Sequence, residues 1–186
     1  MTEVKHSAAG FGAIGIFAAL IFSVVWVVAA SADPSWTFGD NTLSDLGISK
    51  VDMAKNVFNY GCMITGVLLL IYGAGKAYRF EGAECASGAL AALAGICLAL
   101  IGVFPSGEKL HILFALLFFV LIAFAIISAG YADSKAGRLL NAAVCACVLT
   151  AAVISIAAVS VPMGEAIGVA GCIAWVLADS LKLIFG

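Results

Sequence analysis

The sequence predicts an all-α integral membrane protein, a single bundle of six transmembrane helices with both termini in the cytoplasm. Three observations carry that reading. Hydrophobic residues make up 64% of the 186-residue chain and charged residues only 11%, against about 25% charged in a soluble domain, too few to coat a water-facing surface. Residues 7–32 contain no charge, and later apolar runs also reach the roughly 20 helical residues that cross a ~30 Å hydrocarbon layer. Finally, six of the nine Lys and Arg residues (Lys5, Lys76, Arg79, Lys135, Arg138, Lys182) fall on one set of alternating segments and three (Lys50, Lys55, Lys109) on the other. That bias puts the first set inside.

The apolar runs place the spans at about 8–31, 55–77, 87–104, 110–130, 138–160 and 165–183, in one transmembrane domain covering the chain. The first ends in Ala30-Ser31-Ala32, a cleavage-like tripeptide, but its apolar run far exceeds the 7–15 residues of a signal core, so it reads as a retained helix. Trp26 and Trp36 suit the outer headgroup level. The one long connection follows, an outer loop over residues 33–54. Its Asp-Pro-Ser, Phe-Gly-Asp-Asn and Asp-Leu-Gly pieces are turn chemistry. Ser49 and Asp52 read as a capping pair opening the second helix. A loop this long, carrying Trp36, Phe38, Leu43 and Leu46, reads as a lid or binding loop.

Small residues recur at helical spacing in the third span (Gly88, Ala91, Ala92, Gly95, Ala99) and open the sixth (Gly164, Gly168, Cys172). They let backbones approach closely in lipid, and they leave a homo-oligomer through these faces open. Val103-Phe-Pro-Ser-Gly-Glu108 echoes Ser160-Val-Pro-Met-Gly-Glu165. In both, a helix is expected to end before Pro, Gly to make the turn, and Glu to enter the next helix's first turn. The six cysteines lie in spans or at an inner helix start, so they read as small packed hydrophobes rather than disulfides.

No Asp, Glu, Lys, Arg or His falls in the middle third of a span, which argues against ion-coupled transport. His6 and His111 lie a membrane thickness apart and cannot share one haem; no cofactor is expected. Net charge is −2 and no basic patch suggests nucleic acid. Polar chemistry is left to the outer rim, where Ser44, Asp45, Glu108, His111 and Glu165 converge from three connections. Glu108 and His111, three apart, would share a helix face, and a carboxylate beside a histidine makes a general base. His111, Asp45, Ser44 and Glu108 are the candidate catalytic residues. Lys109 at a helix start would meet a phosphate, with Asn41, Asn59 and Glu165 as further binding residues. One His with carboxylates could also hold a divalent metal. Phe114, Ala115 and Phe118 continue the His111 face inward, as core or as a groove for an acyl chain.

Asn41-Thr-Leu-Ser-Asp-Leu-Gly47, Asn59 with Gly61, Val103-Phe-Pro-Ser-Gly107 and His111-Ile-Leu-Phe-Ala115 resemble the prokaryotic DUF998 family of six-helix membrane proteins. The resemblance implies the fold and a polar site at Ser44, Asp45 and His111, and no activity. More distantly the pattern is similar to the Frag1/DRAM group, some of whose members act in lipid-anchor remodelling. It departs from the ceramidase-like hydrolases, whose several metal-binding histidines are missing here. The leading expectation is a multi-pass protein of the cell membrane that binds a lipid headgroup, with modification of it as an extension. The alternatives are a non-catalytic scaffold or assembly module and a passive small-solute pathway.

Overall fold

The computed structural model describes residues 2–186, with side chains from Ala8 onward; the sequence's placement of Lys5 and His6 lies outside the described side chains. Six long helices form, α1 (Thr2–Ala32), α2 (Asp52–Arg79), α3 (Gly82–Val103), α4 (Lys109–Lys135), α5 (Leu139–Ala158) and α6 (Val161–Phe185). All six are long and apolar enough to span a membrane. Each packs on its chain neighbours, and α6 returns to α1, closing a ring. The helix α5 lies outermost, bridging α4 and α6 through Cys145 against Gly130 and Val148 against Gly171.

Several helices outrun their apolar spans, and α6 shows why. It begins at Val161 and takes Pro162 into its first turn, where a missing N–H breaks no hydrogen bond. Pro105, by contrast, lies in the α3–α4 turn, whose Gly107 has φ +91°. The two Pro-x-Gly-Glu segments are therefore not equivalent: Glu108 is the N-cap of α4, and Glu165 sits a full turn inside α6. The expected Ser49–Asp52 cap does not form either. Val51 is the N-cap of α2, and the Ser49 hydroxyl is committed elsewhere in the loop.

The tightest seam joins α2 to α3. A Cβ on Gly66 would sit 2.4 Å from the Ala99 nitrogen, and one on Gly73 2.4 Å from the Ala92 nitrogen. Gly95 and Gly88 make the reciprocal approaches, to Leu70 and Ala77. One level further along, Gly102 lies against the carbonyl of Asn59. These levels recur every seven residues on both helices, so the backbones touch along their length, which is how helices associate where hydrocarbon gives no hydrophobic drive. The stripe on α3 is thus buried inside the chain.

The two ends of the bundle differ. One carries the 33–51 loop. The other carries a buried network of three cations and three carboxylates drawn from four helices and a turn. Lys76 on α2 pairs with Asp179 on α6 (2.7 Å) and Glu84 on α3 (2.9 Å). Lys182 on α6 reaches Glu84 (2.8 Å), Asp179 (2.7 Å) and Asp133 on α4 (3.1 Å). Arg138, in the α4–α5 turn, closes it on Asp133 (2.6 Å) and Glu84 (2.8 Å). Tyr72 donates to Asp179 and Lys76 donates to Ser87. The Lys76 side chain is fully buried, so desolvation must be met by these partners.

Asp179→Asn should therefore cost roughly 3–5 kcal/mol, because it leaves three cations sharing two carboxylates, Glu84 and Asp133, in a buried network. Replacing Lys76 and Asp179 together by Met and Leu should recover part of that loss. Thermal unfolding in detergent, followed by intrinsic fluorescence, measures both, and equal destabilisation by the single and double variants would refute the pairing.

Candidate functional site

The loop end is built by local hydrogen bonds that leave few loose polar groups. Asp33 clasps the loop: one carboxylate oxygen accepts from the Ser35 amide (2.9 Å) and hydroxyl (2.6 Å), the other from the Ser49 hydroxyl (2.5 Å). Trp36 donates its indole N–H to the Thr42 carbonyl (2.8 Å). Asn41 accepts from the Thr37 amide (2.9 Å) and closes a turn. Residues Leu43–Ile48 then form a 3₁₀ turn that dips into the ring, with Leu46 fully buried. Thr42 and Asp45 cap it reciprocally, Thr42 accepting from the Asp45 amide and Asp45 from the Thr42 amide (2.8 Å), as in a capping box.

Glu165 holds this turn from the opposite wall. Its carboxylate accepts from the Leu43 amide (3.0 Å) and the Ser44 hydroxyl (2.8 Å). Asn59 does the same from α2, donating to the Gly47 carbonyl (2.9 Å). The Ser44–Glu165 pair faces a cavity of about 70 Å³ inside the ring. Its walls are almost wholly apolar and include Phe22, Phe58, Ala115, Phe118 and Phe119, with Leu69 and Val176 deepest. Thr65 also lines it, and its buried hydroxyl has no hydrogen-bond partner. Pockets for drug-sized molecules start near ~300 Å³, so this one has room for no more than the end of a chain or a small group.

Of the residues the sequence singled out, Ser44, Asp45, Asn41, Asn59 and Glu165 all belong to the loop and its clamp. His111 is buried close to the α3–α4 turn, where its Nδ1 lies 2.8 Å from the Phe104 carbonyl. A carbonyl only accepts, so Nδ1 carries the proton. Among the described residues no side-chain hydrogen bond joins His111 to Ser44, Asp45 or Glu108; its backbone amide alone donates to the Glu108 carbonyl (3.0 Å). Glu108 and Lys109 are exposed at the start of α4. Ala115 and Phe118 of the inward face do line the cavity, while Phe114 stacks on Phe104 (5.7 Å). Among the described residues no group of three or more His, Cys, Asp and Glu is arranged to hold a metal ion.

Two features escaped the sequence. The Asp33 clasp reads in sequence only as a turn. The charge network's cations entered the sequence reading only as a bias in orientation, although Lys76, Asp179 and Lys182 fall inside apolar runs, and a charge there needs a partner from another helix.

The fold and site define a multi-pass membrane protein, a ring of helices with a polar loop plugged into one end over an apolar cavity. The chain belongs to the DUF998 family, described as protein of unknown function, whose model matches residues 16–181. No curated protein and no solved structure matches the chain.

Hydrogen bonds from Ser35 and Ser49 hold Asp33 below the usual carboxylate range. A depressed carboxylate contributes stability that is complete above its unfolded pKa and is lost as pH falls through its folded one. Hydrogen exchange of segment 33–51, corrected for intrinsic rates, should stay slow through the ordinary Asp range and accelerate only at lower pH. Asp33→Asn should exchange faster already at pH 7 and lose the acid step; an unchanged pH profile would refute the clasp.

Proposed function

We propose that the protein binds a membrane amphiphile, whose chain end enters the cavity while its polar head meets Ser44 and Glu165. One observation carries the reading: an apolar, Phe-walled cavity inside the ring is roofed by a hydroxyl and a carboxylate from two different elements. The cavity is not needed for packing, since a well-packed bundle leaves few voids larger than water. The proposal is binding rather than turnover. Asp45 spends its carboxylate on the 3₁₀ cap and His111 gives its proton to Phe104, so neither is aimed at the Ser44 hydroxyl as a base would be.

Filling the cavity should remove the binding. In Ala115→Phe the new ring occupies the chain's place, and because Ala115 is half-buried the overpacking cost stays near ~1–3 kcal/mol. Photolabelling with an alkyl diazirine lipid, mapped by mass spectrometry, should put label on cavity-lining residues of the unchanged protein and lose most of it in the variant. Equal labelling of both would refute the cavity as the site.

The charge distribution supports the sidedness as well. Six of the nine Lys and Arg belong to the segments at the charge-network end, which favours that end in the cytoplasm and the loop end outside the cell membrane. A thiol at the exposed position of Lys50→Cys should react with a membrane-impermeant maleimide added to intact cells. Labelling only after lysis would reverse the topology.

A further inference from the structure

We propose that the cavity selects lipophilic cations: amphiphiles with an amine or ammonium head. This rests on the amphiphile reading above and adds the sign of the head. The argument begins with Glu165. Every ion pair among the described residues is made by Asp52, Glu84, Asp133 or Asp179. Glu165 has the Leu43 amide and the Ser44 hydroxyl, both neutral donors, and no cation. The Asp45 carboxylate adds to the negative potential there. A carboxylate at the edge of an apolar cavity is costly until a counter-charge arrives, and the lysines at this end, Lys50, Lys55 and Lys109, make no ion pair with it.

The walls favour the same ligand. Phe22, Phe58, Phe118 and Phe119 line the cavity, paired at 6.4 Å (Phe22 and Phe58) and 5.2 Å (Phe118 and Phe119) between ring centroids. Phenyl faces attract a desolvated cation. Thr65, 5% exposed, presents a hydroxyl with no protein partner along the same cavity. Its oxygen can accept from an ammonium, which brings donors and no acceptor. A fatty acid would instead set a second anion beside Glu165.

The test compares decylamine, decanol and decanoate binding to the full chain in neutral-lipid nanodiscs, by calorimetry against empty discs. Decylamine should bind about tenfold tighter than decanol, the size of one charge-assisted contact, and decanoate weakest. Glu165→Gln should abolish the difference between decylamine and decanol, whereas Ser44→Ala, which keeps the charge, should retain the preference. Should Glu165→Gln lose the loop, Phe118→Leu gives a second reading: it should weaken decylamine several-fold and decanol little. Decanoate binding as well as decylamine, or a preference surviving Glu165→Gln, overturns the cation claim and leaves amphiphile binding standing. Failure of all three ligands to bind overturns both.

Discussion

Hydrocarbon offers no partner to a charge or to a free peptide group, and this constraint shapes the molecule at both ends. At one end it forces six ionised side chains into a balanced network, so that α2, α3, α4 and α6 cannot move apart without stranding a charge. The network compensates for weak drive elsewhere. Lipid solvates Leu and Val as well as a neighbouring helix does, so the ring is held by backbone proximity at Gly66, Gly73, Gly88 and Gly95 and by these ion pairs. Position along the helix explains how it is tolerated. Lys76, Asp179 and Lys182 lie in the last two turns of their helices, level with Glu84 in the first turn of α3 and Asp133 in the last turn of α4, which reach the two lysines.

At the other end the same constraint is met by a loop. Residues 33–51 pass over the ring without a strand ladder or an α-helix to absorb their peptide groups, so side chains do the work. Asp33, Asn41, Asp45, Asn59 and Glu165 each take or give hydrogen bonds to the loop. A cluster of polar residues near one membrane surface is what a reactive site looks like in sequence. It is equally what a polar plug needs, and here most of the polarity is used to hold the plug.

This is why the fold was legible in the sequence and the site only partly so. Span length and charge exclusion are properties of single segments, and the six runs appear in the structure with ends shifted by a few residues. The shifts occur where a terminus tolerates what an interior would not, as at Pro162. Site geometry is a property of pairs. That Ser44 would meet Glu165, 121 positions away, could be guessed from their shared surface. That Asp45 would turn back onto Thr42 depends on a 3₁₀ turn whose alternative, an open loop, has the same composition. The charge network was legible in principle, because opposite charges sat at matching depth in several spans, but only by asking which helices were neighbours.

The two carboxylates of α6 bring these strands together. Glu165 and Asp179 are fourteen positions apart on one helix, about 21 Å at 1.5 Å per residue, and the cavity lies against the stretch between them through Val169, Cys172 and Val176. Asp179 is saturated, holding Lys76, Lys182 and the Tyr72 hydroxyl. Glu165 holds two neutral donors. The cations of the network are held about 21 Å away along the helix, and Lys50, Lys55 and Lys109 at the loop end make no ion pair with Glu165. As the chain stands, its counter-charge is left to something arriving from outside. An incoming cation reaches Glu165 either through the loop or along the apolar wall, and the wall admits it only when the charge is carried on a hydrophobic body.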